Sequence, residues 1–199
     1  MAEKDIFPIF HKLLDRSQKE ALLKQKGIVI WMTGLPASGK TTFAVALEKA
    51  LHEKGLLCTV LDGDNMRSGI NNNLNFSEEG RKENIRRVAE VSKLFLQCGV
   101  ITINSFVSPT EELRNLAKSI IGEKDFKLVY VNTPIEVCET RDSKGLYAKA
   151  RRGEIKDFTG VNASFETPIS ADLEIKTPEH SFEENLKMIV EFVLPKIKL

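Results

Sequence analysis

Three groups of residues in this 199-residue chain have types and spacings that could do chemistry. The first is contiguous. Gly34, Leu35, Pro36, Ala37, Ser38, Gly39, Lys40 and Thr41 satisfy G-x-x-x-x-G-K-S/T at every fixed position, and Thr42 follows. Glycines let a backbone curl until successive N–H groups point at phosphate oxygens, and a helix N-terminus adds partial positive charge there. In such a loop the lysine reaches the β- and γ-phosphates and the next hydroxyl meets Mg²⁺. A mere tight turn between strand and helix is the alternative. Motif and context agree, which favours a nucleoside triphosphate carried with Mg²⁺.

The second group is acidic. Asp62-Gly63-Asp64 closes an apolar run, while the next strand-like run, 100–106, ends without an acid. Asp62 and Asp64 are then the nearest carboxylates to support Mg²⁺ through water, or to take a proton from an attacking hydroxyl. An Asp-Gly turn with two solvated acids is the other reading of the same residues.

The third group mixes cations and aromatics. The spacing predicts a helix over 78–97 with Ser77 as N-cap and Ile85, Val88, Ser92 and Phe95 on one face. Arg81 and Asn84 continue that face one turn earlier, so the apolar stripe runs into a cation. A buried cation must be paired, and a ligand anion is a natural partner. Arg86 and Arg87 lie off the stripe, at the surface or in ion pairs. Arg67 is a second candidate, or else a solvated helix-end charge. Phe76 is either a hydrophobic staple beside the cap or a ring on which a base stacks. Residues 142–168 lack sustained apolar periodicity and carry Lys144, Lys149, Arg151, Arg152, Lys156, Phe158 and Phe165. Such a segment is a lid over a nucleotide or a solvated basic helix and loop.

Elements must position these groups. Apolar runs at 28–32, 56–61, 100–106, 126–132 and 171–175 read as strands, with helices predicted over 43–54, 78–97, 111–121 and 134–141. Ser181-Phe182-Glu183-Glu184 is a capping box opening a C-terminal helix. This alternation predicts an α/β fold, a mainly parallel sheet covered by helices on both faces, plus the lid segment. Such sheets bind ligands at the carboxyl ends of their strands, here after Met32, Leu61, Ile103 and Val131. Phe7, Phe10, Leu13, Leu14, Ala21 and Leu22 predict an amphipathic N-terminal helix, packed on its own domain or on a partner. One domain over 1–199 is expected, with 1–26 as a helical extension.

Composition narrows the function classes. At 42% hydrophobic and 29% charged the chain suits a globular domain, and a net charge of +1 provides no field drawing it to nucleic acid or membrane. No run approaches membrane-spanning length and the N-terminus has no signal-peptide core. Cys58, Cys98 and Cys138 are odd in number and far apart, which reads as reduced, mostly buried thiols in a cytoplasmic protein.

Taken together these stretches resemble the adenylylsulfate kinase (APS kinase) family of the P-loop kinase superfamily. The resemblance spans roughly 27–175 and rests on GLPASGKTT, LDGDNMR, NFSEEGRKENIRRVAEVSKLF, SFVSP, VNTPIEVCETRD, KGLYAKAR and GEIKDFTGV. It implies a three-layer P-loop NTPase fold, with Mg²⁺ as cofactor. The implied reaction transfers the ATP γ-phosphoryl group to the 3′-hydroxyl of adenosine 5′-phosphosulfate (APS) in sulfate assimilation, giving PAPS and ADP. By matching position, the loop from Gly34 to Thr42 with Arg141 would bind ATP. Arg67, Arg81 and Asn84 would hold the substrate's phosphosulfate and sugar, and Phe76 and Phe165 would sandwich its adenine. Val107, Ser108 and Leu146 would line the substrate pocket, with Lys144 near the phosphates. Lys40, Asp62, Asp64 and Ser108 form the implied catalytic group, and Thr41, Asp62 and Asp64 the implied metal group. Family members are often homodimers, which is the expectation here.

The chain departs from the family pattern at Gly80, where an acid is usual, and at Thr110 and Glu111, where an aromatic and an arginine are typical. ASFETP also replaces the usual proline-containing run around Phe165. Three other readings remain: a different small-molecule kinase, a GTP-dependent switch, and an inactive regulatory domain. The switch would need a guanine-reading N/T-K-x-D, which Asn132-Thr133-Pro134-Ile135 does not supply.

Overall fold

The computed structural model describes residues 6–199. Its centre is β1 (Val29–Thr33), buried at every position because its alternating side chains enter two cores. Ile30 and Met32 pack into one, Val29 and Trp31 into the other. Four more strands join it: β2 (Cys58–Asp62), β3 (Ile101–Ser105), β4 (Phe126–Asn132) and β5 (Leu173–Lys176). The order is β2-β3-β1-β4-β5 and every pairing is parallel. A strand in the middle of such a sheet has no wet face, which is why VIWMT carries no alternation of polarity.

Helices cover both faces. α2 (Lys40–His52) and α8 (Phe182–Ile197) bury Phe43, Leu47, Leu51, Ile189 and Val193 on one side. α4 (Glu78–Gln97) and α5 (Glu111–Ile121) bury Ile85, Val88, Leu96, Leu113 and Ala117 on the other. Trp31 lies between Phe106 and Phe126, with ring centroids 5.5 and 5.7 Å away. Register then brings the functional ends together: Met32 and Asp62 both pair with Ser105, so β1, β2 and β3 finish level.

Several expectations are corrected. The predicted N-terminal helix is realised only as a 3₁₀ turn (Phe10–Lys12) and α1 (Arg16–Leu23). Asp15 stays extended and its side chain caps the Gln18 N–H, so the helix starts after it. Phe7, Phe10, Leu13, Leu14 and Leu22 are exposed. Polar contacts instead anchor α1: Arg16 grips Asp125 and Glu20 and donates to the Gly27 carbonyl at 2.7 Å. Residues 1–5 of the expected extension lie outside the described ones. On α4 the buried stripe ends at Leu96 rather than Phe95, because a 3.6-residue period carries 85, 88 and 92 on to 96. Cys98, at the end of that helix, is exposed rather than buried; all three thiols are free. A helix absent from the prediction, α3 (Gly63–Ser68), follows β2. After α6 (Ile135–Thr140), the segment 142–168 contains α7 (Leu146–Arg151), whose first N–H groups are capped by the Asp142 carboxylate. Among the described residues no helix is long and apolar enough to cross a membrane.

Candidate active site

The loop between β1 and α2 is forced into shape by close approach to β4. A Cβ at Gly34 would lie 2.5 Å from the Val131 carbonyl oxygen and 2.9 Å from Ser38 Oγ, so only glycine fits. Ala37 adopts a left-handed φ of 59°, a conformation that costs free energy outside a functional turn. Lys40 is buried at the first turn of α2, where Nζ donates to the carbonyls of Leu35 (2.7 Å) and Gly34 (3.0 Å). Burial pushes its ammonium down to about 8. Thr41 Oγ1 donates to Asp62 Oδ2 at 2.8 Å and lies 3.1 Å from Ser105 Oγ, linking the ends of β2 and β3 to the loop. Asp62 also caps α3, accepting the Asp64 N–H at 3.0 Å.

The opposite wall is built of side chains. The Arg67 guanidinium stands 4.2 Å over the Phe76 ring and donates to the carbonyls of Leu74 and Asn75. Arg81 donates to the Phe76 carbonyl (2.9 Å), to Thr159 Oγ1 (3.1 Å) and to the Asp157 carbonyl. Both guanidiniums lie lower than an ordinary arginine, chiefly through desolvation, with Arg81 adding to the shift at Arg67. Among the described residues neither forms an ion pair. Two neighbouring, half-buried cations held by neutral acceptors make an anion site. Gly80 explains itself here: a Cβ would come within 2.5 Å of Asn75 Oδ1 and 2.6 Å of the Asn75 carbonyl oxygen. The acid usual in the family would not fit this first turn.

Ser108 closes the floor with a left-handed φ of 37°. Its hydroxyl receives the Trp31 indole N–H at 3.1 Å, and its carbonyl receives Arg114 at 2.9 Å. The fully buried Arg114 also meets Glu111 Oε1 and the Glu166 carbonyl, each at 2.9 Å. Glu111, one of the departures from the family pattern, is the acid that neutralises this guanidinium. The segment 142–168 touches both walls. Tyr147 donates to the Pro36 carbonyl at 3.0 Å, Lys144 pairs with Asp64, and residues 157–159 hold Arg81.

These walls enclose a cleft of about 690 Å³. Of the residues singled out in the sequence, Pro36, Ala37, Gly39, Lys40, Thr41, Thr42, Asp62, Asp64, Arg67, Phe76, Arg81, Asn84, Val107, Ser108, Arg141, Lys144 and Leu146 line it. Gly34, Leu35 and Ser38 shape the loop from behind. Phe165 does not line the cleft: it stacks on Tyr130 at 5.9 Å, with Arg114 over its ring, and the next residue, Glu166, is tied through its backbone to Pro109 and Arg114. Sequence reasoning missed Ser105, Thr159, Thr177, Phe182 and Asn185, which also line the cleft. Ser105 stands at a strand end and was within reach of that rule; the others have no spacing signal.

A lysine-bearing phosphate loop at the carboxyl edge of a parallel sheet, facing an anion-binding wall, defines a phosphate-loop kinase. The sequence profile of the family described as adenylylsulphate kinase matches residues 26–176. The adenylyl-sulfate kinase of Bacteroides thetaiotaomicron is 57% identical, covering 100% of this chain and 99% of that protein. That of Phocaeicola vulgatus is 57% identical over 98% of this chain and 96% of its own length. A solved structure of the Mycobacterium tuberculosis APS kinase CysC in complex with AMPPNP and APS superposes with a TM-score of 0.82. It is 41% identical, covering 85% of this chain and 98% of that one. The chain belongs to the adenylylsulphate kinase family.

Proposed function

We propose that this protein transfers the γ-phosphoryl group of ATP to the 3′-hydroxyl of APS, giving PAPS and ADP. The observation that carries the reading is the presence of Arg67 and Arg81, without carboxylate partners among the described residues, in the same cleft as Lys40. Such a wall suits an acceptor bearing its own anionic group, as the phosphosulfate does. The bound AMPPNP and APS of the Mycobacterium protein support the same pair of substrates.

In this reading the 3′-oxygen attacks the γ-phosphorus, the bond to the β–γ bridging oxygen breaks, and ADP leaves with that electron pair. Asp62 orients the hydroxyl and accepts its proton; Asp64, already paired with Lys144, is the weaker candidate. The loop amides and Lys40 hold the transferring group, so catalysis is positioning and charge neutralisation. Thr41, Asp62 and Asp64 offer the hard oxygen donors that Mg²⁺ prefers. Among the described residues no group of three or more His, Cys, Asp or Glu could hold a metal alone, so the ion would arrive on the nucleotide. When bound, Mg²⁺ neutralises charge on the β- and γ-phosphates. Residues 142–168 act as a lid within one domain, and the protein works in the cytoplasm as a homodimer. The exposed apolar residues Phe7, Phe10, Leu13 and Leu14 support an association of that kind.

Supplying ATP with APS, AMP, gluconate or shikimate separately and measuring ADP release tests the reading. ADP and a 3′-phosphorylated product are expected with APS; turnover with another acceptor and none with APS would overturn it.

A further inference from the structure

The acceptor wall depends on a residue that does not line the cleft. Asn71 lies in the turn between α3 and α4, fully buried, with its N–H on the Met66 carbonyl (2.9 Å) and its carbonyl taking the Leu74 N–H (3.0 Å). The turn is pinned from outside by Arg87, which donates to the Ile70 carbonyl and to Asn73 Oδ1. From this fixed position Asn71 Nδ2 donates to Asn84 Oδ1 at 3.0 Å. Asn84 is itself 5% exposed and lines the cleft.

A carboxamide has one acceptor end and one donor end. Once Asn71 occupies the Asn84 oxygen, only the Asn84 NH₂ is left for the cleft. Among the described residues this is the only side-chain hydrogen bond Asn84 makes. We propose that Asn71 is a positioning residue that turns Asn84 donor-side inward, so that Arg67, Arg81 and Asn84 together present nothing but N–H groups to the acceptor. A wall of that kind selects oxygens without hydrogens, as on a phosphoryl or sulfate group. It disfavours hydroxyl-rich, uncharged acceptors. Without Asn71, the Asn84 amide can rotate by half a turn and aim its oxygen at the anion. A second observation agrees. Asn71 Oδ1 is buried with no partner, a cost that an apolar side chain of the same size would avoid. The fold keeps the amide for its other end.

The inference rests on APS being the acceptor, and one set of assays separates the two. Wild type, Asn71→Leu, Asn84→Ala and the double variant are compared for KM of APS, KM of ATP and kcat. Asn71→Leu should raise the APS KM about tenfold, the worth of one hydrogen bond to a charged group, with ATP KM and kcat within about twofold. In the Asn84→Ala background the same change should add less than about twofold, because the two act as a unit. Additive losses, or equal effects on both KM values, would show that Asn71 merely supports the turn. Should Asn71→Leu fail to fold, Asn71→Asp serves: its carboxylate cannot donate to Asn84 Oδ1 and should invert the amide with the same split. No PAPS from wild type would instead sink the assignment of the acceptor.

Discussion

The two walls of the cleft are made in opposite ways. The nucleotide side is nine consecutive residues, Gly34 to Thr42, whose shape comes from backbone geometry, from the bonds of Lys40 back to Gly34 and Leu35, and from the close packing of Gly34 on Val131. The acceptor side draws Arg67 from α3, Phe76 from the turn before α4, Arg81 and Asn84 from α4, Ser108 from beyond β3, and its partners at 157–159 from a distant segment. A wall of backbone amides is set once the loop folds and tolerates little. A wall of side chains can be altered one residue at a time, so the identity of the acceptor is held in separable contacts.

That contrast ranks the expected effects. Lys40→Ala removes the one charged side chain of the Gly34–Thr42 loop and should lower turnover on the order of 10³-fold, read from PAPS formation at saturating substrates. A loss below about tenfold would deny the loop its dominance.

Next in size is Gly80→Ala. The added Cβ collides with Asn75, so the variant should lose about 1–3 kcal/mol of stability in urea unfolding. An unchanged midpoint would mean that the turn before α4 yields freely.

A third effect follows from the buried ammonium of Lys40, held near 8 instead of the ordinary 10.5. In the free enzyme, kcat/KM for ATP should fall as pH rises through about 8, while kcat, measured with the triphosphate bound, keeps its activity to higher pH. Between pH 8 and 10.5 the unfolded chain binds the extra proton, so this group should make stability rise with pH across that window. Identical alkaline limbs for both parameters would contradict it.

The smallest change is expected of Phe165→Leu. With the ring against Tyr130 and outside the cleft, the APS KM should stay within about threefold, the loss appearing as reduced stability of the kind seen when core packing is trimmed. A large rise in APS KM would return Phe165 to the adenine.

The same contrast explains what the sequence made legible. α5 and β4 fall where the pattern put them, at Glu111–Ile121 and Phe126–Asn132, since caps and apolar runs are local signals. α4 likewise runs over Glu78–Gln97, started by Ser77. The phosphate loop was legible for that reason too. Arg81 and Asn84 were reachable through helical period. Asn71, Thr159 and Asn185 were not, because nothing within a few residues of them shows which distant group they will face. The N-terminus misled in a related way: spacing suggested an apolar helix from Phe7, but the Asp15 cap starts it later and leaves those side chains outside.

The measurement that tests the division of labour most directly is the kinetics of Arg81→Ala with each substrate varied in turn. Losing a half-buried cation from the acceptor wall should lower kcat/KM for APS by about 10²–10³-fold and leave the ATP KM within about threefold. Equal losses for the two substrates would contradict the assignment of separate walls to donor and acceptor.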